Sequence, residues 1–148
     1  MAKILVVEDE PHIRELLKTV LGIQGHQVVS AIDGQEGLDR ALADPPDLAI
    51  LDVLMPGING LDLARILRQD PRTAHTPLMV MTAWDEVRDQ ALAIGVDDFV
   101  AKPVSLHDLQ TRVAALLAAK QGMGSDQVLR SLAYLEELDA LRHPESAP

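Results

Sequence analysis

Four residues stand where a β–α repeat would place its chemistry. Glu8 and Asp9 close an apolar run at 4–7, Asp52 closes another at 48–51, and Lys102 follows a short run at 99–100. A fourth run, at 78–81, ends in Thr82 and Ala83. Three carboxylates at one crevice repel one another unless a cation joins them, and hard oxygen donors with room for water suit Mg²⁺. A carboxylate, a metal ion, a hydroxyl and an ammonium around one point match a phosphoryl group, whose charged oxygens must be neutralised. An aspartate ionised at neutral pH is already a nucleophile, so transfer to Asp52 would need no general base. Singly, each of these residues reads as a solvated strand end or a surface lysine; the set carries the argument.

The elements that must position them are legible as alternating periods. Runs rich in Val, Ile and Leu read as buried strands at 4–7, 28–29, 48–51, 78–81 and 99–100. Between them lie helical stripes. Ile13, Leu16, Leu17, Val20 and Leu21 follow the i, i+3, i+4, i+7, i+8 pattern, with Pro11 suited to the first turn and Gly22 and Gly25 to the end. Gly37, Leu38, Ala41 and Leu42 mark a second helix, stopped by Pro45-Pro46. Leu61, Ala64 and Leu67 mark a third, and Val87, Ala91 and Ile94 a fourth. Leu106, Leu109, Val113, Leu116 and Leu117 mark a fifth, capped by Ser105. Strands apolar on both faces, alternating with helices, predict a doubly wound α/β fold: five parallel strands in the order 2-1-3-4-5. Ligands of such sheets bind beyond the carboxyl ends of the strands, where the order reverses between strands one and three. Glu8, Asp9 and Asp52 fall there.

Composition narrows the function further. The chain has 148 residues, 47% of them hydrophobic, which suits one domain with a full core. Thirteen Lys and Arg against 23 Asp and Glu give a formal net charge of −10, which repels phosphate backbones and excludes general DNA binding. Cysteine is absent, so disulfides, thiolate zinc sites and thiol catalysis are excluded. Trp84, Phe99 and Tyr134 are the only aromatics, so the core must be aliphatic. The five histidines are scattered and form no ligand set. No segment approaches the roughly 20 apolar residues of a membrane span, and no signal peptide is seen, so a cytoplasmic protein is expected. The domain is expected to cover 1–121. Residues 122–148 read as a linker and a helical extension with a frayed end. The extension's apolar positions, among them Leu132, Leu135 and Leu138, serve either packing on the same domain or a contact with a partner or a second copy in a homodimer.

With these motifs in order, the chain resembles the receiver domains of two-component response regulators. The stretches that carry the resemblance are Ile4-Leu-Val-Val-Glu-Asp-Glu10, Ala31-Ile-Asp-Gly-Gln-Glu-Gly-Leu38, Pro46-Asp-Leu-Ala-Ile-Leu-Asp-Val-Leu-Met-Pro-Gly57, Val80-Met-Thr-Ala83 and Gly95-Val-Asp-Asp-Phe-Val-Ala-Lys-Pro103. The resemblance implies a flavodoxin-like receiver fold of the stand-alone type with a C-terminal helix. It makes Asp52 the phosphoacceptor, and Asp9 and Asp52 direct ligands of Mg²⁺ with the Leu54 backbone carbonyl. Glu8 then holds a metal-bound water, and Lys102 pairs with Asp52 and later with the phosphoryl oxygens. Thr82 moves to hydrogen-bond the phosphoryl group, and Phe99, where tyrosine is frequent, turns inward as the switch aromatic. A cis bond is implied before Pro103. The donor implied is a sensor histidine kinase or a histidine phosphotransfer protein. The readout surface implied is helix four, strand five and helix five, acting on a further protein.

Leu54 and Trp84 each lie two residues past a site residue, beside the path that family members leave to the hydrolytic water. Large apolar groups there, with Ala83 adjoining, are expected to modulate the site by shielding the acyl phosphate. Two other readings compete. An aspartate-nucleophile phosphatase would place a second acid two residues past Asp52, where this chain has Leu54. A degenerate receiver serving only as a binding module would lack Asp52, Lys102 or the acidic pair, all of which are present.

Overall fold

The computed structural model describes residues 2–120, and the expected linker and helix beyond 121 lie outside the described residues. The chain divides into two compact units, the first ending at Pro103 and the second starting at Val104.

The first unit is a five-stranded parallel sheet in the order β2-β1-β3-β4-β5, as the repeat pattern predicts. Its strands are β1 (Lys3–Val7), β2 (Gln27–Ala31), β3 (Leu48–Asp52), β4 (Leu78–Thr82) and β5 (Asp98–Ala101). Every residue of β3 and β4 is buried, which explains why both read as unbroken apolar runs. Helices α1 (Pro11–Ile23), α2 (Gly34–Ala43), α3 (Gly60–Gln69) and α4 (Arg88–Ile94) make the crossovers, α4 preceded by one 3₁₀ turn at Asp85–Val87. Right-handed crossovers in this order put α1 on one face and α2, α3 and α4 on the other. On the latter face Ala41, Leu63, Ala64, Leu67 and Ala91 join Leu5, Val7, Leu51 and Val80 in one core.

Caps fix where the helices begin. Glu10 accepts the amide protons of His12 and Ile13 ahead of α1, Asp33 accepts that of Glu36, and Asn59 that of Asp62. In the second unit, α5 (Leu106–Lys120) buries Leu109, Val113, Leu117 and Ala118, and the Ser105 hydroxyl accepts from the Asp108 amide at 3.3 Å. No helix among the described residues is long and apolar enough to cross a membrane.

The stripe expected on α1 is narrower than its sequence pattern. Leu17, Val20 and Leu21 are buried and Ile13 is half-buried, but Leu16 is 47% exposed. At 100° per residue, Leu16 lies about 85° from the mean direction of the other four, at the edge of the buried arc. Leu17→Ala is therefore expected to cost about 2–4 kcal/mol in denaturant unfolding, and Leu16→Ala less than about 0.5 kcal/mol. Equal losses would contradict this orientation of α1.

Candidate functional site

Parallel strands bring their carboxyl ends to one edge, and the site residues follow directly from that geometry. Glu8 is the first residue after β1, Asp52 is the last of β3, Thr82 is the last of β4, and Lys102 is the first after β5. The strands that carry them run side by side in the order β1, β3, β4, β5. Glu8 is fully buried, Asp52 is 3% exposed and Thr82 is 1% exposed. Asp9 is exposed.

The Lys102 ammonium lies 3.0 Å from Glu8 Oε2, 3.3 Å from Glu8 Oε1 and 3.1 Å from Asp52 Oδ1. One cation thus bridges two buried acids. One carboxylate oxygen each from Glu8, Asp9 and Asp52 lies within 4.8 Å of the others. Burial first, then the charge of Glu8, raise the pKa of Asp52 from 3.8 to about 7, against the opposing pull of Lys102. Burial works against the charge on Lys102, but the hydrogen bond to Glu8 and the charges of Asp52 and Glu8 outweigh it and hold its pKa above the ordinary value. Three acids face one ammonium, so the site is short of positive charge. An all-oxygen donor set in a negative crevice fits Mg²⁺.

Thr82 Oγ1 accepts the Trp84 amide proton at 3.1 Å, and the Lys102 amide donates to the Thr82 carbonyl at 2.9 Å. Thr82 therefore ties the ends of β4 and β5 together. Leu54 is 42% exposed and Trp84 53%, both large apolar groups left in solvent near the site, and Ala83 is exposed between Thr82 and Trp84. Phe99 is 8% exposed and packs in the core beneath α4, with the Arg88 guanidinium carbon 5.9 Å from its ring centre. Having no hydroxyl to hydrate, this ring is buried. The Lys102–Pro103 bond is cis.

One residue at the site carried no signal in the sequence. Arg14, on α1, donates to the Glu8 carbonyl at 2.9 Å and to the Asp9 carbonyl at 3.5 Å. Its guanidinium fixes the backbone of the acidic pair. It is an isolated basic residue among polar helix positions, and only the turn of α1 against β1 reveals its target. The direct Lys102–Glu8 contact, between residues 94 apart in the chain, likewise leaves no local trace in the sequence.

The family is decided by comparison with known proteins. Residues 4–114 match the model of the response regulator receiver domain. The chain belongs to that family. It is 38% identical over 119 residues to the response regulator ArlR of Staphylococcus aureus, covering 79% of this chain and 53% of that protein. The chain thus spans about half the length of the curated relatives it matches. Among solved structures it is similar to the receiver domain of a signal transduction histidine kinase from Syntrophus aciditrophicus, at 35% identity and TM-score 0.77, covering 84% of this chain and 96% of that one. It is also similar to the receiver domain of sensor histidine kinase PA1611 from Pseudomonas aeruginosa, at 25% identity and TM-score 0.74, covering 79% and 98%. That structure has a magnesium ion coordinated in its active-site cleft. The family works by phosphorylation-based signalling, and its members change their own phosphorylation rather than turn over a separate substrate.

The raised pKa of Asp52 has a consequence for stability. Between pH 3.8 and about 7 the native chain keeps a proton that the unfolded chain has lost, so this group makes stability fall as pH rises through that window. In metal-free buffer Asp52→Asn is therefore expected to be more stable than the parent at pH 8 by about 1–2 kcal/mol. That advantage should shrink toward pH 4. Urea unfolding at both pH values checks this, and a variant less stable at pH 8 would contradict it.

Proposed function

We propose that this chain is a phosphoacceptor switch that takes a phosphoryl group on Asp52 from a phosphohistidine and controls a protein partner by the resulting change of surface. The observation that carries the reading is the Lys102 ammonium held between Glu8 and Asp52, with Asp9 completing an acidic cluster. A carboxylate that only stabilised the fold would gain from a full complement of partners. Asp52 instead sits with too little positive charge around it.

An oxygen of Asp52 attacks the phosphorus of the donor. The new O–P bond forms as the P–N bond breaks, and the electron pair of that bond stays on the imidazole nitrogen. When bound, Mg²⁺ neutralises charge on the phosphoryl oxygens and lowers the cost of ionised Asp52. Asp9 and Asp52 would hold the ion directly with the Leu54 backbone carbonyl, and Glu8 through a water. Lys102 is within reach of both acids and would follow the charge to the phosphoryl oxygens. Thr82 would then donate its hydroxyl proton to a phosphoryl oxygen, and Phe99 would pack deeper into the space released. Such charge-assisted hydrogen bonds shift which loop conformation is favoured. The change would be read on the face of α4 and β5, to which the resemblance adds helix five. The donor is a sensor histidine kinase or a histidine phosphotransfer protein. Leu54 and Trp84 would screen the acyl phosphate from water.

The test is incubation of the full chain with MgCl₂ and phosphoramidate or acetyl phosphate. Intact mass is expected to rise by one phosphoryl group, and neither the Asp52→Ala variant nor a sample treated with a chelator should show the gain. An unmodified parent would overturn the reading. Once labelled, Leu54→Asn and Trp84→Glu are expected to lose the group faster than the parent. Equal half-lives would remove the shielding role while leaving the rest.

A further inference from the structure

The loop from 53 to 59 carries Leu54, so what holds that loop sets where its carbonyl lies. Two helix-initial glycines press against it. Gly60 begins α3, its amide donates to the Val53 carbonyl at 3.0 Å, and a Cβ built on it would lie 2.2 Å from the Asp52 carbonyl oxygen. Gly34 begins α2, and a Cβ built on it would lie 2.2 Å from the Ile58 carbonyl oxygen and 2.7 Å from the Ile58 Cβ. Neither glycine has a positive φ, a conformation confined to Gly25, Gly57 and Gly95 among the described residues. Their value at these places is therefore the missing side chain, which permits close backbone approach. Gly60 seats one end of the loop on the phosphoacceptor strand. Gly34, 24 residues away in sequence from Ile58, seats the other on α2.

Resting on the proposed function above, we infer that Gly34 is a positioning residue for the metal site. The N-terminus of α2 is the backstop of the 53–59 loop, and through it Gly34 sets the Leu54 backbone against Asp52. A methyl group at 34 pushes the Ile58 backbone away, because the contact is with main-chain atoms and no rotamer change can relieve it. Gly37, one turn on, provides the contrast. Its Cβ would meet the Val7 methyls at 2.7 and 3.0 Å, inside the core and away from the loop.

The experiment compares the full-length parent, Gly34→Ala and Gly37→Ala by calorimetric titration with MgCl₂ and by thermal unfolding. Both variants are expected to melt at lower temperature. Gly34→Ala should also bind Mg²⁺ about tenfold or more weakly, as when an outer support of a metal site is lost. Gly37→Ala should bind as the parent does. Parental Mg²⁺ affinity in folded Gly34→Ala would overturn the inference and leave the proposed function standing, whereas a parent that binds no Mg²⁺ would remove both. Hydrogen exchange in the parent supplies a second reading that does not depend on a variant folding. Added Mg²⁺ should slow exchange at 54–59 and also at Gln35 and Glu36. Slowing that stops at the loop would overturn the backstop.

Discussion

Two carboxyl groups cut off from water, those of Glu8 and Asp52, share the ammonium of Lys102. Removing one partner from a buried ion pair strands the other, which costs far more than the pair contributes. Here the shortage is built in: the acids outnumber the cation, and burial first, then the charge of Glu8, make Asp52 resist ionisation near neutrality. A fold does not gain stability from such an arrangement. It gains a site whose shortage of positive charge a divalent cation could make good.

The sheet exists in the form that this site needs. Lys102 follows β5, which is two places from β3 in the sheet, a separation of about 10 Å at the usual spacing of strands. Only a long cationic side chain crosses part of that distance while keeping its backbone in register. The lysine can do so because β4, lying between, ends in Thr82, whose side chain is compact and whose carbonyl accepts the Lys102 amide. Arg14 performs the corresponding service on the other flank by holding the carbonyls of the acidic pair. The whole constellation hangs from four strand ends; β3 and β4 are buried from end to end, β1 nearly so, and β5 at Phe99 and Val100.

What the sequence revealed and what it hid divide along a physical line. Strands buried on both faces announce themselves by unbroken apolar runs, and an acid or lysine that ends such a run stands out against it. That contrast made Glu8, Asp9, Asp52, Thr82 and Lys102 legible, and the alternation of periods pointed to a doubly wound parallel sheet, whose order is one of the few that right-handed crossovers leave. Contacts between distant segments leave no such local trace. Gly34 against Ile58, Arg14 beneath Glu8, and Lys102 on Glu8 as closely as on Asp52 depend on how crossovers bring loops together. The exposure of Leu16 depends on how α1 rolls on the sheet, since a stripe fixes a face only to within the width of its outer members. The burial of Phe99 in the unmodified chain follows from its chemistry, since a phenyl ring gains nothing from the solvent that a tyrosine hydroxyl would seek.

Stiffness is distributed unevenly along the path from the site to α4. At the far end Gly95 closes the helix in a left-handed conformation, and Arg68 donates to the carbonyls of Gly95, Ala74 and Thr76 and to the Asp97 carboxylate. That carboxylate accepts the Leu78 amide in turn, so the end of α4 is bolted to the start of β4. At the near end no side chain caps the 3₁₀ turn or α4, and Ala91 alone among the residues of α4 is fully buried. Few buried contacts and unsatisfied amides define the part of a structure that opens most cheaply. Ala91 fixes it to the core, and the Arg88 guanidinium over the Phe99 ring adds a contact of modest strength. A displacement of Thr82 pulls on the Trp84 amide that it holds, at the uncapped end of the segment. Since the opposite end is clamped by one arginine, α4 is held most firmly at Gly95 and least firmly at the end nearest Thr82.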